Sequence, residues 1–316
     1  MMLRGTDFGP VFCASGAQGF FGEGYWFHKF LRPFGLNFRD CTFVAKTTTL
    51  NSQKGNMPLK KDDITPKKLM PRCIKVYLGK GLMLNAVGLS GPGADTLFKT
   101  GKWQERAKPF FLSFMSIEKT PEKRISELQK FVRLFAEYLP GFQAKVGLQI
   151  NYSCPNVGLD TSEIINEIKS GLSIASELGI PLVPKFNVLA PIRTVKRIAE
   201  EPNCDAICIS NTIPWGQIPE KIDWKKLFGS NVSPLTEFNG GGLSGWPLLP
   251  LVEKWVKEAR KIGLTKPINA GGGILSPYDV DVLHQAGASS VFIGSMATLR
   301  PWRIRKTVKR AYQIFK

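Results

Sequence analysis

Residues 181–210, PLVPKFNVLAPIRTVKRIAEEPNCDAICIS, read in one pass as a strand, a helix and a second strand. The runs 181–186 and 205–210 are short, apolar and end in polar or aromatic residues. The stretch 191–200 between them has a helical pattern and a proline at its first turn, where the missing N–H costs nothing. Strands joined through a helix pair in parallel, because a tight hairpin cannot connect them.

The same unit repeats in both directions. Candidate strands are 42–47 (TFVAKT), 82–87 (LMLNAV), 109–115 (PFFLSFM), 145–150 (KVGLQI), 181–186, 205–210, 267–270 (PINA) and 290–294 (SVFIG). Helical stretches cover 121–138, 161–178, 191–200, 247–262 and 277–286. Eight alternating units predict an α/β fold, a (β/α)8 TIM barrel with a parallel eight-stranded sheet, as one domain over 1–316. An open doubly wound sheet is the alternative. The segment 211–246 is long for a loop and carries Pro214, Trp215, Pro219, Trp224 and Gly240 to Gly242, which places it near the expected site.

The 316 residues hold 43 Lys plus Arg against 25 Asp plus Glu, a formal charge of +18, with 43% hydrophobic and 22% charged residues. That balance excludes disorder and coiled coil. Because the cations run from Arg4 to Lys316, they read as solubility and general attraction to anions rather than as a nucleic-acid face. No apolar run approaches the roughly 18 residues of a membrane span. Arg4, Asp7 and Pro10 interrupt any secretory signal. Cys13, Cys41, Cys73, Cys154, Cys204 and Cys208 form no C-x-x-C pair, which fits reduced thiols and a cytoplasmic location.

In a barrel the site lies where the strands end. There the sequence places Lys46, Asn85, Lys185, the run Asn151-Tyr152-Ser153-Cys154-Pro155-Asn156, and Ser210-Asn211-Thr212. Amides, hydroxyls, amines and a thiol without clustered carboxylates or histidines disfavour glycoside hydrolysis and metal-assisted hydrolysis, and no metal site is expected. His28 and His284 read as surface or satisfied core positions. Gly271-Gly272-Gly273 and Gly294-Ser295 follow the last two strands, where barrels commonly bind phosphate through backbone N–H groups. A dinucleotide fingerprint after a first strand and a P-loop are both missing, so a mononucleotide such as FMN fits best. Cys154 could be a small buried hydrophobe, but its polar neighbours and position favour a reactive thiol, whose unperturbed pKa of about 8.5 suits proton transfer. Lys46 and Lys185 would be costly in a barrel mouth without an anionic partner.

The segments PVFCASGAQGFFGEGY (10–25), FVAKTTTLNSQKGNMPLK (43–60), NAVGLSGPGAD (85–95), QINYSCPN (149–156), SNT (210–212), GGLSG (241–245), NAGGGI (269–274) and VFIGSMA (291–297) together resemble the dihydroorotate dehydrogenases, in that family's order. The resemblance implies FMN at the C-terminal face of the strands and oxidation of (S)-dihydroorotate to orotate in de novo pyrimidine (UMP) biosynthesis. It points to the soluble, class 1-like members, which use cysteine as the base where the membrane-associated class uses serine. Cys154 would then remove the C5 proton while a hydride passes from C6 to FMN N5, with Lys46 beside both. Asn85, Gly88, Leu89, Asn151, Asn156, Asn211 and Thr212 would hold the pyrimidine. Ala14, Ser15, Gly16, Lys46, Thr47, Asn151, Lys185 and Ser210 would line the flavin, and Ser244, Gly245, Gly272, Gly273, Gly294 and Ser295 its phosphate. The family also implies a homodimer. Electrons would pass to fumarate, or to NAD through an iron-sulfur flavoprotein subunit, since this chain lacks iron-sulfur cysteine spacing; no membrane or nucleic-acid partner is expected. Two neighbouring FMN enzymes remain as alternatives, the tRNA-dihydrouridine synthases and the dihydropyrimidine dehydrogenases.

Overall fold

The computed structural model describes residues 1–34, 36, 38–152 and 161–315. Its centre is a curled sheet of seven parallel strands in the order Val11–Cys13, Ser290–Ile293, Ile268–Ala270, Ile207–Ile209, Leu182–Phe186, Val146–Asn151 and Phe110–Phe114. Neighbours run consecutively along the chain, except that the first strand pairs with the last. Between the two edges lies the segment 42–48, with parallel bridges from Thr42 to Phe12 and from Val44 and Thr48 to Phe111 and Phe114.

Every residue of Phe110–Phe114 and Leu182–Phe186 is buried, because helices cover the outer face while the sheet curls around the inner one. Alternation divides the side chains. Leu112, Leu148, Leu182, Ile207, Ile268 and Val291 face the helical layer, whereas Phe12, Val44, Phe111, Val183, Cys208 and Phe292 form the inner cluster. Leu3 and Phe8, from and beside the hairpin of Met2–Leu3 and Thr6–Asp7, join that inner cluster. Arg4 fixes the hairpin on Asp205 at 3.0 Å, and Asp205 also accepts from the Leu182 N–H, so the hairpin plugs the end where the strands begin.

The five predicted helical stretches form as helices, and further helices such as Ile304–Ile314 join them. Pro121–Tyr138 starts behind Thr120, whose side chain accepts from the Lys123 N–H, and buries Leu128, Phe131, Val132 and Phe135 at helical spacing. The outer layer continues with Thr161–Ala175, Ile192–Ala199, Leu249–Lys261, Pro277–Gln285 and Ile304–Ile314. No helix among the described residues is long and apolar enough to cross a membrane.

Two strand expectations are corrected. Leu82–Asn85 is not a member of the parallel sheet; it pairs antiparallel with Gly242–Gly245 and Ile74–Tyr77 in a separate four-stranded sheet completed by Ile213–Pro214. Val11–Cys13, left out of the sequence reading, is a parallel strand instead. The segment 211–246 carries two strands of the small sheet and the helix Trp224–Phe228. It has a core of its own, in which Leu82, Leu84, Ile213, Trp224, Leu235 and Leu243 are buried together.

Candidate functional site

The residues that end the parallel strands gather at one rim. Ala14 follows Val11–Cys13, Asn151 closes Val146–Asn151, Lys185 is the penultimate residue of Leu182–Phe186, and Ser210, Gly271 and Gly294 follow the next three strands. The strand ends are locked together by backbone bonds: Ser210 N–H to Gly271 O at 2.8 Å, Asn211 N–H to Phe186 O at 2.9 Å and Ala14 N–H to Ile293 O at 2.7 Å. The Ile209–Ser210 peptide bond is cis.

Lys46, on the bridging segment, is only 9% exposed. Its ammonium donates to Ser90 O at 2.5 Å and lies 4.5 Å from the centroid of the Phe20 ring. Ser90 closes a turn in which Gly88 and Leu89 both adopt left-handed backbone, φ 70 and 60. Leu89 in that region is strained, and the Ser90 hydroxyl braces the turn by donating to Val87 O and accepting from the Met57 N–H. Beside Lys46, Ser15 donates to Ala45 O at 2.8 Å and bonds Thr47, which in turn bonds Ser113 at 2.9 Å.

Burial draws the Lys46 ammonium down to about 8, with Glu23 opposing the shift. The sign is that of a buried base: below about pH 8 the group is charged in both folded and unfolded chains and the folded one bears the burial cost. As pH rises from about 8 towards the ordinary value of 10.5, the unfolded chain binds more protons and folding is favoured. Urea titrations of flavin-free protein at pH 8 and 10.5 should therefore show wild type gaining on the order of 3 kcal/mol relative to Lys46→Met. An identical pH response in both proteins would contradict the assignment.

Lys185 is 6% exposed, and burial lowers its pKa, opposed by the neighbouring Cys208. Its ammonium sits 5.0 Å from the Phe292 ring, and no salt bridge to it or to Lys46 occurs among the described residues. Burial pushes the Cys208 thiol up to about 11, so it stays neutral. Across the sheet Lys185 stands in register with Asn151, whose side-chain oxygen accepts from the Asn211 amide at 2.6 Å. Two residues back from Asn151 on its strand, Gln149 is 5% exposed and its amide oxygen has no partner among the described residues. A buried acceptor left in that state costs about 1–3 kcal/mol, which a donor on a bound ligand would recover.

A third group is made of backbone. At Gly273, with φ +85, a Cβ would stand 2.6 Å from the Leu249 N–H nitrogen at the start of Leu249–Lys261 and 2.9 Å from Gly245 O. A Cβ at Gly272 would press on Leu248 and Val252, and one at Gly294 would meet the Ala14 methyl at 2.8 Å. Only glycine permits this close approach, which brings main chain from three segments together beside a helix start, where phosphate-binding backbone is commonly found.

The structure therefore brings Ala14, Ser15, Gly16, Lys46 and Thr47 into one chain of contacts with the 88–90 turn and Gly294. It brings Lys185 to Asn151 and Asn211, and Gly245 to Gly272 and Gly273. Ser295 leads into the short helix Met296–Leu299, and its carbonyl accepts from the Leu299 N–H. Asn85 and Thr212 both adjoin Gly242, on the small sheet, while Ser244 lies opposite Met83. Cys154 and Asn156 lie outside the described residues. Sequence reading passed over Ser113, Gln149 and Asn187, whose side chain donates to Thr212 O and accepts from the Leu189 N–H. Gln149 carried a signal, since it shares the face of Asn151 at a spacing of two. Of the two histidines, read as surface or satisfied core positions, His284 is exposed, whereas His28 is buried and its Nε2 has no partner among the described residues. No group of three or more potential metal ligands occurs among the described residues.

Comparison with known proteins bears on the fold and the family. The structure is similar to dihydroorotate dehydrogenase of Eimeria tenella in complex with ferulenol, with a TM-score of 0.68 and 20% identity over 98% of this chain and 82% of that one. It is also similar to the ligand-free form of that protein, with a TM-score of 0.66 and 20% identity over 99% of this chain and 85% of the other. At such identity the likeness speaks for the fold. No curated protein sequence matches the chain. The family model for dihydroorotate dehydrogenase matches residues 3–313, nearly the whole length, and the chain thus belongs to the dihydroorotate dehydrogenase family of enzymes.

Proposed function

We propose that this enzyme oxidises (S)-dihydroorotate to orotate with FMN at the rim of the parallel strands and Cys154 as the base, as in the soluble, class 1-like members of its family. The observation that carries the reading is the pair of buried lysines, Lys46 and Lys185, without a salt bridge among the described residues, together with the close backbone approach at Gly245, Gly272, Gly273 and Gly294. Buried cations without a directly paired carboxylate are expensive, and an anionic cofactor with a phosphate would offset the expense.

In this reading Ala14, Ser15, Gly16, Thr47, Ser210 and Lys185 border the ring, and Ser244, Ser295 and the four cradle glycines hold the phosphate. FMN, when bound, supplies the hydride acceptor. Lys185 contributes a fixed positive charge that stabilises negative charge developing on the ring, and it costs no reorganisation during the reaction. Asn151 and Asn211, already hydrogen-bonded to each other, present amide groups of fixed orientation to the pyrimidine, with Asn85, Gly88, Leu89, Asn156 and Thr212 completing its surround. The Cys154 thiolate takes the C5 proton. The segment 42–48 serves as the eighth stave of a closed barrel, the whole chain acting as one domain with 211–246 at the site. We further infer a cytoplasmic homodimer that passes electrons to fumarate or to an iron-sulfur flavoprotein subunit.

The visible spectrum of purified protein, recorded without oxygen before and after addition of dihydroorotate, tests the reading. A yellow protein that bleaches is the expected result. A colourless protein that FMN cannot reconstitute would overturn it. Bleaching withheld from dihydroorotate but seen in reverse with uracil-type substrates would replace the substrate while keeping the cofactor.

A further inference from the structure

Away from the rim, a cavity of about 680 Å3 lies between the helix Trp26–Leu31 and the entry to the parallel wall at Thr42, Phe43 and Pro109. Arg32, Arg39, Arg106 and Lys108 line it, against the two carboxylates of Asp7 and Asp40. Asp7 is engaged by the Gly9 N–H at 2.8 Å and the terminal amine at 3.4 Å. Arg39, Asp40 and Tyr312 also line a second cavity, of about 640 Å3, which adds Arg305 and Lys309. The two form one cationic trough.

Its wall contains two buried donors that have no partner among the described residues. His28 is 3% exposed; its Nδ1 accepts from the Tyr25 N–H at 3.3 Å, so the ring proton resides on Nε2, which has no partner among the described residues. Burial and the nearby Arg32 hold the imidazole neutral, with its pKa drawn down to about 4. Arg106 donates from Nη1 to Phe21 O at 2.9 Å and stacks 3.9 Å from the Phe43 ring centroid, yet its buried Nε–H is unmatched. Unmatched buried donors among cations call for an acceptor-rich anion. The trough is also larger than an inorganic ion needs, and the rings of Phe38 and Tyr312 offer a wall for a planar group.

We propose that this trough is a second ligand site, separate from the rim, that binds a nucleoside phosphate, with the phosphate among Lys108, the arginines and the His28 Nε2–H and the base against the aromatic wall. The site stands independently of the reaction assigned above. The chain has two histidines, so holoenzyme labelled in histidine gives two imidazole signals, and His284, exposed on Pro277–Gln285, is the internal control. UMP is the probe, with uridine and inorganic phosphate as comparisons. UMP is expected to move the His28 signal and raise its pKa while His284 stays still, and Lys108→Glu should weaken UMP binding by about tenfold or more without altering the melting temperature or the rate of dihydroorotate oxidation. No movement of His28 at millimolar UMP, or movement that survives Lys108→Glu, would overturn the site. An equal response to phosphate alone or to uridine alone would overturn the ligand class.

Discussion

Cys154→Ala is expected to lower kcat for dihydroorotate oxidation by about 10²- to 10⁴-fold, the range general-base removal commands, while the protein remains yellow. The side chain belongs to the run Asn151-Tyr152-Ser153-Cys154-Pro155-Asn156, and the start of that run is held firmly. Asn151 ends a parallel strand and accepts from Asn211, and the Tyr152 N–H is bonded to Lys185 O at 2.9 Å. The chain thus leaves the strand in a fixed direction two residues before the thiol. In the proposed arrangement most flavin contacts lie on other strand ends, so truncating the thiol should remove proton transfer and leave cofactor binding intact. Cys154→Ser should fall between the two, since a hydroxyl keeps the hydrogen bond but not the acidity. Single-turnover bleaching of the flavin measures the step directly; an unchanged bleaching rate in Cys154→Ala would remove the thiol from the mechanism.

Lys185→Met is expected to act in opposite directions on stability and on catalysis. In flavin-free protein, the buried ammonium has its pKa lowered by burial and has no carboxylate partner among the described residues, so an apolar chain of similar length should raise stability by on the order of 1 kcal/mol or more. In the flavin-loaded enzyme, under the proposed arrangement, the same change would remove the positive charge beside the ring. Flavin reduction by dihydroorotate should then slow by about 10²- to 10³-fold, and the flavin's midpoint potential should fall. Urea melts of the flavin-free protein and photoreduction of the loaded protein separate the two effects. A merely structural lysine would lose stability and leave the potential unchanged.

The helical layer was largely legible because its signals are local. Thr120 and Pro121 announce the helix that follows, and Leu128, Phe131, Val132 and Phe135 mark its buried face, so 121–138 was read to the residue. Sheet membership is not local. Leu82–Asn85 is as apolar as its barrel counterparts, and only its partners, Gly242–Gly245 and Ile74–Tyr77, reveal an antiparallel strand with one covered face. Its burial alternates, with Leu82 and Leu84 buried and Met83 and Asn85 half-buried, but Met83 hides that alternation in the sequence. Val11–Cys13 was missed because three residues give too short a run to show a period. At the site, the lysines and glycines stood out by chemistry and position. Ser113, Gln149 and Asn187 did not, because their roles depend on which residues the sheet sets beside them.

The small sheet also bears on how the enzyme is made. Leu82–Asn85 and Ile74–Tyr77 leave the ribosome early, and their partner Gly242–Gly245 follows only after most of the parallel wall has been synthesised. Until then the apolar side chains of Leu82 and Leu84 have no Leu243 to meet and the strand keeps an open edge. The wall waits longer still, since Val11–Cys13 pairs with Ser290–Ile293. Closures across such separations are slow, and the exposed edge invites association in the meantime. Biosynthesis of this protein should therefore lean on chaperones, with the catalytic rim assembled last.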